Sequence, residues 1–125
     1  MSEETKEPYQ ELYDKFMKDY ELGATSSEQV GELVARLAGY YPNYSEEMIK
    51  AERSYALITR DEILKTDELT GKAVTAAKAE TIAKASQEAF IFKKARTHVQ
   101  NLDMLIQSAK ALQRGLIKEM MHSNL

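Results

Sequence analysis

Apolar side chains recur at steps of three and four residues along most of this chain, which is the period of one face of an α-helix. The first stripe predicts a helix over about 8–22 and consists of Tyr9, Leu12, Tyr13, Phe16 and Tyr20. Pro8 is tolerated in the first turn of a helix, and Gly23 suits the left-handed residue that ends one. The polar residues 1–7 before it are expected to form a flexible tail.

Two further stripes follow on either side of Pro42. The first predicts a helix over about 27–40, preceded by two overlapping capping boxes, Thr25 with Glu28 and Ser26 with Gln29. Because proline lacks a backbone N–H, Pro42 is expected to end this helix. The second stripe predicts a helix over about 45–65 and consists of Met48, Ala51, Tyr55, Ile58 and Leu64.

The C-terminal pattern predicts one unusually long helix over about 72–121. Its strongest breaker is Gly115, and a glycine inside a helix costs only about 1 kcal/mol. Fifty residues would span roughly 75 Å, about twice the diameter of a compact domain of this size. We therefore expect either a bend, near residues 96–98, or an elongated molecule.

Strand patterns are absent, so the predicted fold class is all-α. The expected architecture is an elongated helical bundle or antiparallel helical hairpin, with three shorter helices before the long one, in a single domain over 8–125. The long helix also carries a seven-residue, coiled-coil-like repeat through Val99, Leu102, Ile106, Ala109, Leu116 and Met120. A hairpin with one extra helix buries little apolar surface, so we expect a homo-oligomer.

The amino-acid composition excludes several kinds of functional site. The 125 residues are 43% hydrophobic and include no cysteine, which excludes a thiol nucleophile and a thiolate metal site. No stretch approaches the roughly 18 apolar residues of a membrane span, and the first residues are polar and acidic, so we expect a cytoplasmic protein without membrane contact.

Few residues are candidates for catalysis or metal binding. Glu119 and His122 have the Glu-x-x-His spacing of di-iron bundles, but no second such pair exists, since Ala95 stands three residues before His98. We expect no catalytic residue, no cofactor, no metal and no small-molecule substrate, and therefore no enzyme.

Charge is divided unevenly along the chain, whose net charge is −3. Residues 1–71 hold sixteen acidic against eight basic side chains, whereas residues 72–125 hold four against nine. The basic half either binds an anionic partner or faces the acidic half within the fold. Candidate nucleic-acid contacts are Lys93, Lys94, Arg96, Lys110, Arg114 and Lys118, the last three of which line one helix face at steps of four.

Tyrosines are concentrated early, since all seven precede residue 56. Tyr40, Tyr41 and Tyr44 flank Pro42. They either form the buried end of the bundle or make a protein-contact surface, because tyrosine is favoured at interfaces.

From about Val30 onward the chain resembles small helical proteins encoded by phages and prophages. The resemblance is carried by Ala95-Arg96-Thr97-His98-Val99, by Leu102 and Leu105, by Ala109-Lys110-Ala111-Leu112, and by Lys118-Glu119-Met120. Several such proteins are associated with phage DNA metabolism. The resemblance implies an accessory protein and transfers no active-site residue.

The sequence thus favours a non-enzymatic helical accessory or scaffold protein that binds other macromolecules as an oligomer. The alternatives are a nucleic-acid-associated accessory factor that uses the basic C-terminal helix, and a helical enzyme or metal protein.

Overall fold

Four α-helices make up the structure, a computed structural model that describes residues 6–23, 25–66 and 70–123. They are α1 (Pro8–Glu21), α2 (Ser27–Ile63), α3 (Ala76–Lys84) and α4 (Gln87–Ser123). Helices account for 85% of the described residues, which include no strand. The predicted all-α helical bundle with a long C-terminal helix is confirmed.

Helix α1 begins and ends close to where the sequence predicts. Pro8 is its first residue, and Gly23, with φ 77°, adopts the left-handed conformation after its end. Residues 1–5 of the predicted flexible tail lie outside the described residues. Lys6 and Glu7 are held against α1: the Lys6 Nζ lies 2.6 Å from the Asp14 carboxylate, and the Glu7 N–H donates to Gln10 Oε1 over 3.0 Å. The predicted flexible tail over 1–7 stays a prediction.

Helix α2 starts at the predicted capping box and then continues much further than predicted. The Ser26 N–H donates to Gln29 Oε1 over 2.9 Å, and the Gln29 N–H donates to Ser26 Oγ over 3.3 Å. The helix then runs without interruption through Pro42 to Ile63. The prediction of two separate helices, 27–40 and 45–65, is wrong.

Packing on both sides of Pro42 explains why the proline does not end α2. Pro42 removes the hydrogen bond to the Ala38 carbonyl, at a cost of about 3 kcal/mol. Both Ala38 and Pro42 are exposed, so water can satisfy that carbonyl, whereas Leu37 and Ala51 on either side are buried. Burial of the flanking apolar positions therefore outweighs the local defect.

The prediction of a single helix over 72–121 is wrong in its first part. Caps at Thr75 and Ser86 start two separate helices there, at Ala76 and at Gln87. Helix α3 starts at Ala76, where the Thr75 hydroxyl accepts the Lys78 N–H at 3.2 Å. Ala85 ends α3, and the Ser86 hydroxyl then accepts the Ala89 N–H at 3.2 Å, as an N-cap of α4 does. Residues 96–98, where the sequence suggested a bend, lie inside α4.

The chain divides into two compact units, and α2 and α4 contribute to both. The first unit comprises residues 1–42 and 100–125, and the second comprises residues 43–99. The core of the first unit consists of Tyr9, Val30, Leu33, Leu37, Leu102, Ile106 and Ala109. Gln113 Nε2 donates to the Ser27 carbonyl at 3.3 Å, which joins α4 to the start of α2. The predicted single domain over 8–125 stays a prediction.

The second unit joins the later part of α2 to the early part of α4. The rings of Tyr44 and His98 have centroids 5.7 Å apart, and those of Tyr55 and Phe92 are 5.9 Å apart. As numbers rise along α2 their partners fall along α4, so these two segments are antiparallel. This is the predicted antiparallel helical hairpin.

Within the described ranges, no helix combines the length and the apolar character that crossing a membrane requires.

Replacing Pro42 with alanine should stabilise the protein. The substitution restores a backbone donor to the Ala38 carbonyl and removes the ring clash, so we expect the free energy of unfolding to rise by about 1–3 kcal/mol. Urea denaturation followed by circular dichroism measures the change. Ala56→Gly, at an exposed position later in the same helix, serves as the opposite control and should cost about 1 kcal/mol. A Pro42→Ala variant less stable than the parent would contradict this account of α2.

Tyr9 should make stability depend on alkaline pH. Its side chain is fully buried, and burial raises the pKa of its hydroxyl above the ordinary 10.0, while a hydrogen bond with Asn101 lowers it. The folded state thus holds the phenol proton more tightly than the unfolded state. Stability is complete below about pH 10 and is lost as the pH rises through the pKa of the folded state.

Urea denaturation of Tyr9→Phe between pH 9 and 11.5 tests this dependence. The variant should lose part of the alkaline decline, and at pH 7 it should be about 1 kcal/mol less stable because the bond to Asn101 is gone. Tyr41→Phe, at an exposed tyrosine, should retain the decline of the parent protein. Parallel alkaline profiles for the parent and Tyr9→Phe would show that Tyr9 is not the responsible group.

Candidate functional site

The described part of the chain has no buried cluster of polar or charged residues that could form a catalytic or metal site. No polar or charged residue there is buried, and no three His, Asp or Glu side chains there come together as a metal site would require. Glu119 and His122 are both exposed near the end of α4. Any binding by the described residues therefore involves groups on the protein surface.

The first unit has shallow grooves between its helices. One of about 440 Å³ lies between α1 and α2, with Leu12, Phe16 and Leu33 at its apolar floor. Its rim carries both signs of charge, from Lys15 and Arg36 and from Asp19 and Glu32. Because no single charge or buried polar group dominates the groove, its lining selects no class of ligand.

The second unit exposes more large apolar side chains than it buries. Its buried apolar residues are Ala51, Ala79, Ala83 and Val99, three of which are alanines. Seven large apolar side chains of this unit are 42–74% exposed; we call them the exposed apolar set, and they are Ile49, Leu57, Ile63, Leu64, Ile82, Phe90 and Ile91. The first unit, by contrast, buries Tyr9, Leu33, Leu37, Leu102 and Ile106.

Aromatic contacts supply much of the packing in the second unit. The Tyr55 and Phe92 rings lie at 25° to each other, and the Arg96 guanidinium lies over the Phe92 ring, 5.3 Å from its centroid. A cation over an aromatic face contributes about 0.5–1 kcal/mol at an exposed site. Arg96, predicted as a nucleic-acid contact, thus also packs on Phe92 within α4.

All six predicted cations are exposed on α4. Lys93, Lys94 and Arg96 belong to the second unit, and Lys110, Arg114 and Lys118 to the first. None of the six forms an ion pair with a described residue of its own unit. Within each unit, therefore, direct pairing with acidic side chains does not neutralise them.

The three predicted tyrosines also divide between the units. Tyr40 is half-buried and Tyr41 is 39% exposed, both in the first unit. Tyr44 is half-buried in the second unit, where its ring contacts His98. Their role as a protein-contact surface stays a prediction.

Sequence reasoning missed the exposed apolar set, and Phe90 in particular. Phe92 and Val99 occupy the packed face of α4, and Phe90 falls outside that face although it is equally apolar. The signal was available in the sequence: Lys93 and Lys94 stand three and four residues after Phe90 and so share its side of a helix.

No protein-family model, curated protein or solved structure matches the chain. The resemblance to phage and prophage proteins therefore stays a prediction.

Proposed function

We propose that this chain is a non-enzymatic accessory protein that binds other macromolecules and self-associates through its second unit. The observation that carries the proposal is the exposed apolar set beside a core made largely of alanines. The proposal assigns no catalytic residue, cofactor, metal or small-molecule substrate, and it includes a cytoplasmic location.

The distribution of apolar surface supports self-association. Single exposed apolar residues are ordinary on protein surfaces, but here seven of them belong to one unit of residues 43–99. A unit of this size is marginally stable even with a full core. Covering its apolar side chains with a second copy adds the burial that its alanines do not supply.

The magnitude of this burial fits a moderate affinity. Fully burying one large apolar side chain contributes about 1.5–3 kcal/mol, so covering the six aliphatic members of the set, about half exposed, on each of two copies contributes on the order of 9–18 kcal/mol. Association costs about 4–15 kcal/mol in lost freedom of motion. We therefore expect assembly at micromolar or higher concentration.

A charge placed in the exposed apolar set should dissociate the assembly. Ile63 and Leu64, at the end of α2, are 43% and 74% exposed, so Ile63→Glu with Leu64→Glu leaves the described core untouched. Light scattering at about 100 µM should give a multiple of 14.2 kDa for the parent and 14.2 kDa for the double variant. Circular dichroism checks that helix content is retained.

The matched control places the same charges on exposed apolar residues of the first unit. Leu22→Glu with Met121→Glu, at side chains 82% and 66% exposed, should leave the mass of the assembly unchanged. A parent mass of 14.2 kDa from about 1 µM to 1 mM, or equal dissociation by the control pair, would refute self-association through the second unit.

Nucleic-acid binding is the second candidate function. It is favoured by the six cations of α4, which are exposed and form no ion pair with a described residue of their own unit. Each phosphate that a cation neutralises adds a salt-dependent contribution to affinity. Under this function the basic surface of α4 meets phosphates while the six aliphatic members of the exposed apolar set hold the assembly together.

Two charge variants test the second candidate by electrophoretic mobility shift at about 50 and 200 mM salt. Lys93→Gln with Lys94→Gln removes two cations of the second unit, and Lys110→Gln with Arg114→Gln and Lys118→Gln removes three of the first. Each lost phosphate contact should lower the slope of log affinity against log salt by about 0.7–0.9. Slopes equal to that of the parent for both variants would exclude these cations as contacts.

A further inference from the structure

One side of α4 in the second unit combines an exposed aromatic ring with cations. Phe90 is 67% exposed. Lys93, Lys94 and Thr97 follow it at steps of three, four and seven, so they lie on the same side of the helix. All three are exposed. We call Phe90, Lys93, Lys94 and Thr97 the Phe90 face.

The positions three and four residues from Phe90, which share its side of α4, are all polar and include no acid. Ser86 and Gln87 stand four and three residues before it, at the start of α4. The packed side of α4 lies elsewhere, since Phe92 stacks on Tyr55 and Val99 is buried. Phe90 is thus a large, mostly exposed ring whose neighbours along the same side of α4 carry hydroxyl, amide and ammonium groups.

This mixture of groups differs from the core of a protein interface. Interface cores surround an aromatic anchor with apolar groups, and lysine is depleted from them. Proteins that bind single-stranded nucleic acid combine exposed rings, on which bases stack, with cations that meet the flanking phosphates. The Phe90 face has both parts on adjacent turns of one helix.

Charge in the surrounding sequence favours the same occupant. Residues 72–99 hold six lysines and arginines against two glutamates, a balance of +4, while the rest of the chain carries −7. The attraction of an anionic strand is therefore strongest at this segment, whereas residues 1–71, with a balance of −8, repel it. An acidic protein segment would satisfy the lysines, but it offers Phe90 no planar group to stack on.

We propose that the Phe90 face binds single-stranded nucleic acid, with one base stacked on Phe90 and the flanking phosphates contacted by Lys93 and Lys94. The proposal rests on the second candidate function and names its site and its substrate class. Arg96 lies outside the face because its guanidinium is held over Phe92. Duplex is disfavoured, since its bases are already stacked and paired.

Fluorescence anisotropy with labelled 16-nucleotide strands tests the proposal on the full chain. The arms are single-stranded DNA, single-stranded RNA of the same sequence, and the DNA duplex, each at about 50 and 200 mM salt. The parent should bind at least one single strand more tightly than the duplex. The two single-stranded arms identify which sugar the site accepts.

Substitutions at Phe90 separate stacking from charge. Phe90→Ala should weaken single-strand binding by about 5- to 100-fold, as expected for the loss of one stacked base, and leave the salt slope unchanged. Phe90→Tyr keeps the ring and should bind like the parent, whereas Phe90→Leu keeps apolar bulk without the ring and should behave like Phe90→Ala.

Charge variants complete the test. Lys93→Gln with Lys94→Gln should lower the salt slope by about 1.4, which corresponds to two single-strand phosphate contacts. Lys15→Gln with Lys18→Gln removes two exposed cations from α1 and serves as the matched control, with an expected slope equal to the parent's.

Three results would overturn the proposal: no binding of either single strand at 100 µM protein, equal affinity of Phe90→Ala and the parent, or a preference for duplex. Binding of a labelled poly-glutamate peptide that depends on Phe90, with no oligonucleotide binding, would assign the face to an acidic protein instead. The self-association test uses Ile63 and Leu64, so the two proposals fail independently.

Discussion

Burial of the apolar stripes on α2 and α4 is the interaction on which the remaining structure depends. In the first unit these two helices and α1 enclose Val30, Leu37 and Leu102 together with the ring of Tyr9. In the second unit the same two helices meet through Tyr55 and Phe92. Because α2 has buried residues on both sides of Pro42, Leu37 in the first unit and Ala51 in the second, the helix continues through the proline.

The buried residues of the second unit are mostly alanines, and this affects which apolar side chains are exposed on its surface. Ala79 and Ala83 let α3 lie close to its neighbours, since small side chains allow short distances between helices. An alanine buries little area, however, and the larger apolar residues of the unit lie outward. The second unit thus combines a core of small side chains with an exposed apolar surface, and the proposed self-association follows from this combination.

Aromatic residues of the second unit divide into two groups with different surroundings. Phe92 is covered by Tyr55 on α2 and by the Arg96 guanidinium, so it contributes to the hairpin. Phe90, two residues earlier, is uncovered and shares its side of α4 with Lys93 and Lys94. A shift of two residues along a helix turns a side chain by about 200°, which separates a packing residue from a surface residue.

Features that depend on a few neighbouring residues were determined by the sequence itself. The start and end of α1 at Pro8 and Gly23, the capping box of Ser26 with Gln29, and the exposure of all six α4 cations follow from local hydrogen bonding and hydration. The cap at Ser86 was equally local, but it was missed because no glycine or proline marks it.

Only the tertiary structure decided the remaining features. A local reading assigns Pro42 a cost of about 3 kcal/mol, and it cannot weigh that cost against side chains that become buried by residues distant in sequence. The exposure of Ile63 was undetermined for the same reason. An apolar residue is buried or exposed according to which other helix packs against its face, and periodicity along one helix does not contain that information.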